Sequence, residues 1–232
     1  MRFQVLLLLG WLAGGCATGP SVRAPTHTSQ ASSPLPVLLV HGLHDTPLGL
    51  EPMKQYLEQA GWPVVRVAAL EPNNGSLSVP DMAQQVGQAA EALRAETGAA
   101  RIDVVAFSMG ALVTRFWLQM EGGKEEVRRF VSISGPQAGT MMAYVHPGLG
   151  VKQMRPRSPL LRALNRNPHP FGKVEVHTFW TPLDMIVVPA TSARLPGAHD
   201  RTFFVLLHHW MRDDSRVLEA VADVLRAPET PR

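Results

Sequence analysis

Ser108 stands in Ala106-Phe107-Ser108-Met109-Gly110, where an apolar run from Ile102 breaks and then resumes with helical spacing. The pattern predicts a strand, a sharp turn and a helix, with the serine hydroxyl lifted clear of its own backbone. Small residues two positions to either side allow helix and strand to pack closely. No other serine of the chain has Ala or Gly at both offsets. A hydroxyl is a feeble nucleophile until a neighbouring imidazole can take its proton. The imidazole in turn needs a carboxylate to fix its tautomer and stabilise its charged form. Such a serine therefore points to acyl transfer, provided the fold brings a histidine and an acid to the same place.

The elements that must do so alternate along the chain. Continuous apolar runs at 36–42, 63–69, 102–107, 126–132 and 174–180 predict strands, and 202–207 predicts a sixth. Helices are expected at 48–60, from a Ser78 cap to about Gly98 with Met82, Val86, Ala89 and Leu93 on one face, at 108–121 and at 213–226. Between Gly135 and Gly172 lies a long segment rich in Pro and Gly, for which one short helix near 159–165 is expected. Strands alternating with helices imply an α/β fold: a doubly wound, mostly parallel sheet of about six strands flanked by helices.

In such a sheet, residues just beyond the carboxyl ends of the strands gather along one edge, where ligands bind. Ser108 follows the third strand, His41-Gly42-Leu43 the first, Asp184 the fifth and His208 the sixth. Asp103 opens the third strand, and His199 and Asp200 precede the sixth, so all three belong at the opposite edge. The expected set is Ser108, Asp184 and His208, with His209 as the alternative base. His44 and Asp45 read as solvated, and His177 as structural. Lys152, Arg155, Arg157 and Arg162 read as a solvated loop. The apolar cluster Met141, Met142, Tyr144 and Val145 reads as a pocket, a lid or plain core. No cluster of His, Cys and carboxylates has metal-ligand spacing, so no metal and no cofactor are expected.

Length and composition set the frame. A chain of 232 residues with 45% apolar content suits one domain with one sizeable core. Its net charge of +3 is too small to imply nucleic acid. Residues 1–15 read as an export signal: one positive charge, a short apolar run, then small residues. Leu12-Ala13-Gly14-Gly15-Cys16 resembles the bacterial lipobox, which implies lipidation of Cys16, the only cysteine, and a membrane anchor. Residues 16–35, rich in Ser, Thr, Pro and Ala, are the expected tether, and 36–228 the domain. A bacterial cell-envelope address follows, with Ala17 favouring the outer membrane; the alternative is a secreted protein.

From about Pro36 to Leu225 the chain resembles the α/β-hydrolase superfamily, and more narrowly its small bacterial lipases and esterases. Those lipases carry Ala-His-Ser-Met-Gly where this chain has Ala106-Phe107-Ser108-Met109-Gly110, and a run like Asp184-Met185-Ile186-Val187 around their acid. The spacing of Gly197-Ala198 and Val217 about their histidine matches His208, and Val131 to Thr140 is similar to their Thr-Pro-His-x-Gly-Thr segment, with Gln137 at the histidine. By position, and as the resemblance implies, the backbone N–H groups of Leu43 and Met109 would hold an oxyanion. The expected activity is serine ester hydrolysis, as a lipase or carboxylesterase acting on an ester or lipid substrate. The alternatives are a thioesterase or acyltransferase on the same site, and a non-catalytic envelope lipoprotein that keeps the fold. Oligomeric state is not legible.

Overall fold

The strand cores alternate between two helical layers. In β1 (Val37–Val40), Leu38 and Val40 pack on one side and Val37 and Leu39 on the other; in β3 (Ile102–Phe107), Ile102, Val104 and Ala106 face the first layer, Val105 and Phe107 the second. This explains the unbroken apolar runs, since both faces of each strand are covered. The computed structural model describes residues 34–229; the expected export signal, Cys16 and all but the last two residues of the expected tether lie outside them.

Six strands form one parallel sheet in the order β2 (Val65–Ala68), β1, β3, β4 (Val127–Ile133), β5 (Glu175–Trp180) and β6 (His199–Thr202). The strand order reverses between β1 and β3, the switch point beside which ligands collect in such sheets. One face is covered by α2 (Val79–Thr97) and α3 (Met109–Met120), the other by α1 (Glu51–Gln59) and α6 (Ser215–Arg226). Ser78 caps α2 as its sequence predicts, accepting the Asp81 N–H at 3.2 Å, and Gly98 ends it in the left-handed region. No helix among the described residues is long and apolar enough to cross a membrane.

Three expectations need correction. The sixth strand is the polar His199–Thr202 rather than 202–207, so His199 and Asp200 lie within it. As an edge strand it pairs only with β5 and needs no apolar face. The residues after it leave the ladder, burying Phe203 and Val205 while exposing Phe204, Leu206 and Leu207. Secondly, the segment 135–172 holds more structure than one helix: a 3-10 turn at Met141–Tyr144, α4 (Leu149–Gln153) and α5 (Pro159–Leu164). Arg115, buried in α3, anchors it by donating to the carbonyls of Gln137 and Leu164 and to Asn165. Burial lowers that guanidinium to about 10. Lastly, the basic residues here are not one solvated loop, since Lys152 and Arg162 sit in α4 and α5 and Arg155 lies 4.8 Å over the Tyr144 ring.

Candidate active site

The turn at Ser108 is strained in the way a strand-to-helix elbow requires, with φ +53° and ψ −126°. Its neighbours make the turn possible. A Cβ on Gly110 would stand 2.3 Å from the His41 carbonyl oxygen, and one on Gly42 2.9 Å from the Ser108 Cβ. Glycine at both places lets α3 begin directly against the end of β1.

His208 lies between the other two groups. Its Nε2 is 2.8 Å from the Ser108 Oγ, and its Nδ1 is 2.7 Å from the Asp184 Oδ2. The tautomer that satisfies both contacts carries its proton on Nδ1, donating to the carboxylate, and leaves Nε2 free to accept from the hydroxyl. The second Asp184 oxygen accepts the N–H groups of Ile186 and Val187, each at 2.9 Å. Burial pushes the Asp184 carboxyl up, but the hydrogen bond and charge of His208, with those two N–H groups, outweigh it and hold the carboxyl below its ordinary range. His209, the next residue in the 3-10 turn His208–Arg212, takes no part in the relay: it is exposed and edge-on to Trp210.

The loops carrying acid and base are tied together by Thr181. Its hydroxyl donates to the Val205 carbonyl at 2.8 Å and accepts the N–H groups of Leu183 and Val205. Thr140 braces the acid loop from the other side, donating to the Ile186 carbonyl at 2.6 Å and accepting the Val188 N–H. Phe107 packs against the His208 ring in a tilted contact with centroids 4.9 Å apart, and Arg212 lies over Phe107 while pairing with Asp45. The first of these contacts fills the place where the resembling lipases carry a histidine.

Leu43 and Met109 both line the cleft beside Ser108. The surrounding amides are engaged: His44 N–H bonds Asn73, Asp45 N–H bonds Gly42, Ser108 N–H bonds Ile133 and Ala111 N–H bonds Ser108. Among the described residues the N–H groups of Leu43 and Met109 are in no such bond, and Met109 opens a helix whose dipole favours an anion there.

The cleft holds about 460 Å³ and has a mixed lining. Apolar Met109, Pro136, Met154, Ile186 and Val187 line it together with polar His44, Asp45, His209 and Arg212. Asp45 is thus not simply solvated: it is half-buried and paired with Arg212. The cluster read as pocket, lid or core is mostly surface. Val145 is 78% exposed, and Met141, Met142 and Tyr144 join Met185 (75%) and Phe204 (72%) as exposed large apolar side chains on the loops that follow β4, β5 and β6.

The remaining candidates are occupied elsewhere. Asp103 pairs with Arg128 at the start of β3, and His199 stacks on His177 while Asp200 accepts from Thr178, Trp180 and Arg194. His41 is buried with its Nε2 accepting the Leu70 N–H, so burial lowers its pKa and keeps it neutral and structural. Among the described residues no group of three or more His, Cys, Asp and Glu could hold a metal ion.

The family model of palmitoyl protein thioesterase matches residues 36–149, just under half of the chain and including Ser108. Palmitoyl-protein thioesterase 3 of Dictyostelium discoideum is 29% identical over 111 residues, 47% of this chain and 38% of that relative, so the chain spans well under half of its length. Among solved structures, the mature lipase BlEst2 of Bacillus licheniformis superposes with a TM-score of 0.73 at 13% identity, covering 84% of this chain and 93% of that one. Lipase B of Aspergillus fumigatus gives 0.73 at 20% identity, covering 84% of this chain and 53% of that one.

Proposed function

We propose, on the premise that the chain belongs to the α/β-hydrolase superfamily, that it hydrolyses fatty acyl esters through Ser108. The observation that carries this reading is the unbroken hydrogen-bond relay from the Ser108 hydroxyl through His208 to a buried carboxylate. Ser108 Oγ attacks the acyl carbonyl as its proton passes to His208 Nε2. Asp184 stabilises the imidazolium and stays ionised throughout. The carbonyl oxygen, now negative, is held by the Leu43 and Met109 amides, a contribution worth on the order of 10²–10³ in rate per donor in related chemistry. Collapse expels the alcohol with the proton from His208, leaving an acyl-serine. Water, deprotonated by the same imidazole, then attacks the acyl carbon, and the second collapse returns the proton to Ser108 and releases the acid.

The mixed lining of the cleft suits a division of labour in which its apolar side chains take the acyl chain and its polar ones face the leaving group. The exposed apolar side chains on the loops that follow β4, β5 and β6 suit a lipid substrate. A second reading, thioester hydrolysis at the same serine, is favoured by the partial match to palmitoyl protein thioesterases. The chemistry differs only in the departing atom. An export signal and lipidated Cys16, read from sequence, would place the domain on the cell envelope.

The test is a panel of acyl donors with matched chains, as oxygen ester and thioester, assayed with wild-type protein and Ser108→Ala. The proposal predicts turnover that increases with acyl length in wild type and none in the variant. Undiminished turnover in the variant would refute it, and the faster donor decides between the two readings.

A further inference from the structure

Asn73 is in neither the relay nor the pair of expected oxyanion donors, yet three of its bonds converge on the loop that carries Leu43. Its side-chain Nδ2 donates to the Gly42 carbonyl at 2.7 Å and to the Asp45 carbonyl at 2.8 Å, and its backbone carbonyl accepts the His44 N–H at 3.0 Å. His44 is held there at φ +55°, a conformation a non-glycine residue keeps only when its surroundings impose it. The side-chain amide makes the first two of these bonds while its Oδ1 is buried without a partner among the described residues, so satisfying Oδ1 is not what places this side chain.

The Gly42 carbonyl and the Leu43 N–H belong to one peptide unit. That unit is planar and trans, so its C=O and N–H point in opposite directions. Drawing the carbonyl away from the cleft turns the N–H towards it. The Gly42 carbonyl receives Asn73 Nδ2, the Asp45 N–H at 3.3 Å and the His41 Nδ1 at 3.1 Å; of the first two, which come from outside its own dipeptide, the Asn73 bond is the shorter. We infer that Asn73 is a positioning residue that aims the Leu43 amide at the developing oxyanion. This rests on the acyl-serine reading above. Asn73 touches no reacting atom; it acts only through the orientation of one peptide plane.

The experiment compares wild type with Asn73→Asp, which has the same shape but cannot donate as a carboxylate, and Asn73→Ala. For each, kcat and KM on a p-nitrophenyl acyl ester are measured with the affinity for an alkyl boronic acid, which forms a tetrahedral adduct on serine, and the melting temperature. A misaimed donor weakens the transition state but not the ground state. The expected result is kcat lower by about 10- to 100-fold with KM within about twofold. Boronate affinity should fall by the same factor as kcat/KM. Folded Asn73→Asp with kcat within about twofold of wild type overturns the inference, as does lost activity with unchanged boronate affinity. Failure of both variants to fold would make Asn73 a structural residue and overturn it too. If the acyl-serine reading itself is wrong, wild type shows no Ser108-dependent turnover, which none of these outcomes resembles.

Discussion

The two sides of the cleft are built to different standards. Ser108 and the Leu43 and Met109 amides stand at the ends of β1 and β3, strands paired on both sides and buried throughout. Asp184 and His208 stand on loops beyond β5 and β6, and every residue of β6 is exposed. The nucleophile side is thus held by the sheet itself. The acid-base side is held by single side chains, Thr181 and Thr140 above all. In such a design, damage at the switch point should threaten the fold, while damage at the outer loops should cost activity first.

The largest effect should come from the relay. His208→Ala should lower kcat by on the order of 10⁶, since no base remains, and Asp184→Asn by on the order of 10⁴, because the imidazole loses its tautomer and its counter-charge; steady-state kinetics on a soluble ester measures both. Gly110→Ala should break the comparison from the other side. Its Cβ meets backbone oxygen at 2.3 Å, so we expect a loss of at least about 1–3 kcal/mol in urea unfolding. Thr181→Val should sharpen the contrast, lowering kcat about tenfold through a looser His208 while unfolding shifts little. If Gly110→Ala left stability unchanged, or Thr181→Val cost more stability than activity, the division between the two sides would fail.

A smaller effect concerns pH. His41 is buried neutral with its pKa below the ordinary 6.5. A histidine with a lowered folded-state pKa contributes stability that is fully present above 6.5 and is lost as pH falls through the folded value. His177, lowered mainly by burial, acts in the same sense. Unfolding free energy should therefore decline below about pH 6.5, and the slope should flatten in His41→Gln, whose amide can still accept the Leu70 N–H. An equal slope in both proteins would show that His41 takes no part. Asp184, with its lowered pKa, adds stability that is present above 3.8 and fails only in stronger acid.

The same division governs what could be read in the sequence. The elbow was legible because strand, Ser108, Gly110 and helix are contiguous, and local pattern specifies them. Asp184 and His208 were legible only through topology, as residues that follow the outer strands. The choice of His208 over His209 came from a family spacing. The boundary of β6 was misplaced because a polar edge strand has no apolar signature, whereas the loop after it does. Asn73, Thr181 and the Asp45–Arg212 pair left no signal, since the bonds that matter here join residues at least 24 positions apart. Met141 to Val145 was indistinguishable from core because exposure is a tertiary property.

The most direct measurement is mass spectrometry of the intact protein and its peptides after treatment with a fluorophosphonate. The account predicts one adduct per chain, on Ser108, forming rapidly in wild type and far more slowly in His208→Ala. Labelling that ignores the loss of His208, or folded wild-type protein that takes no label at Ser108, would contradict it.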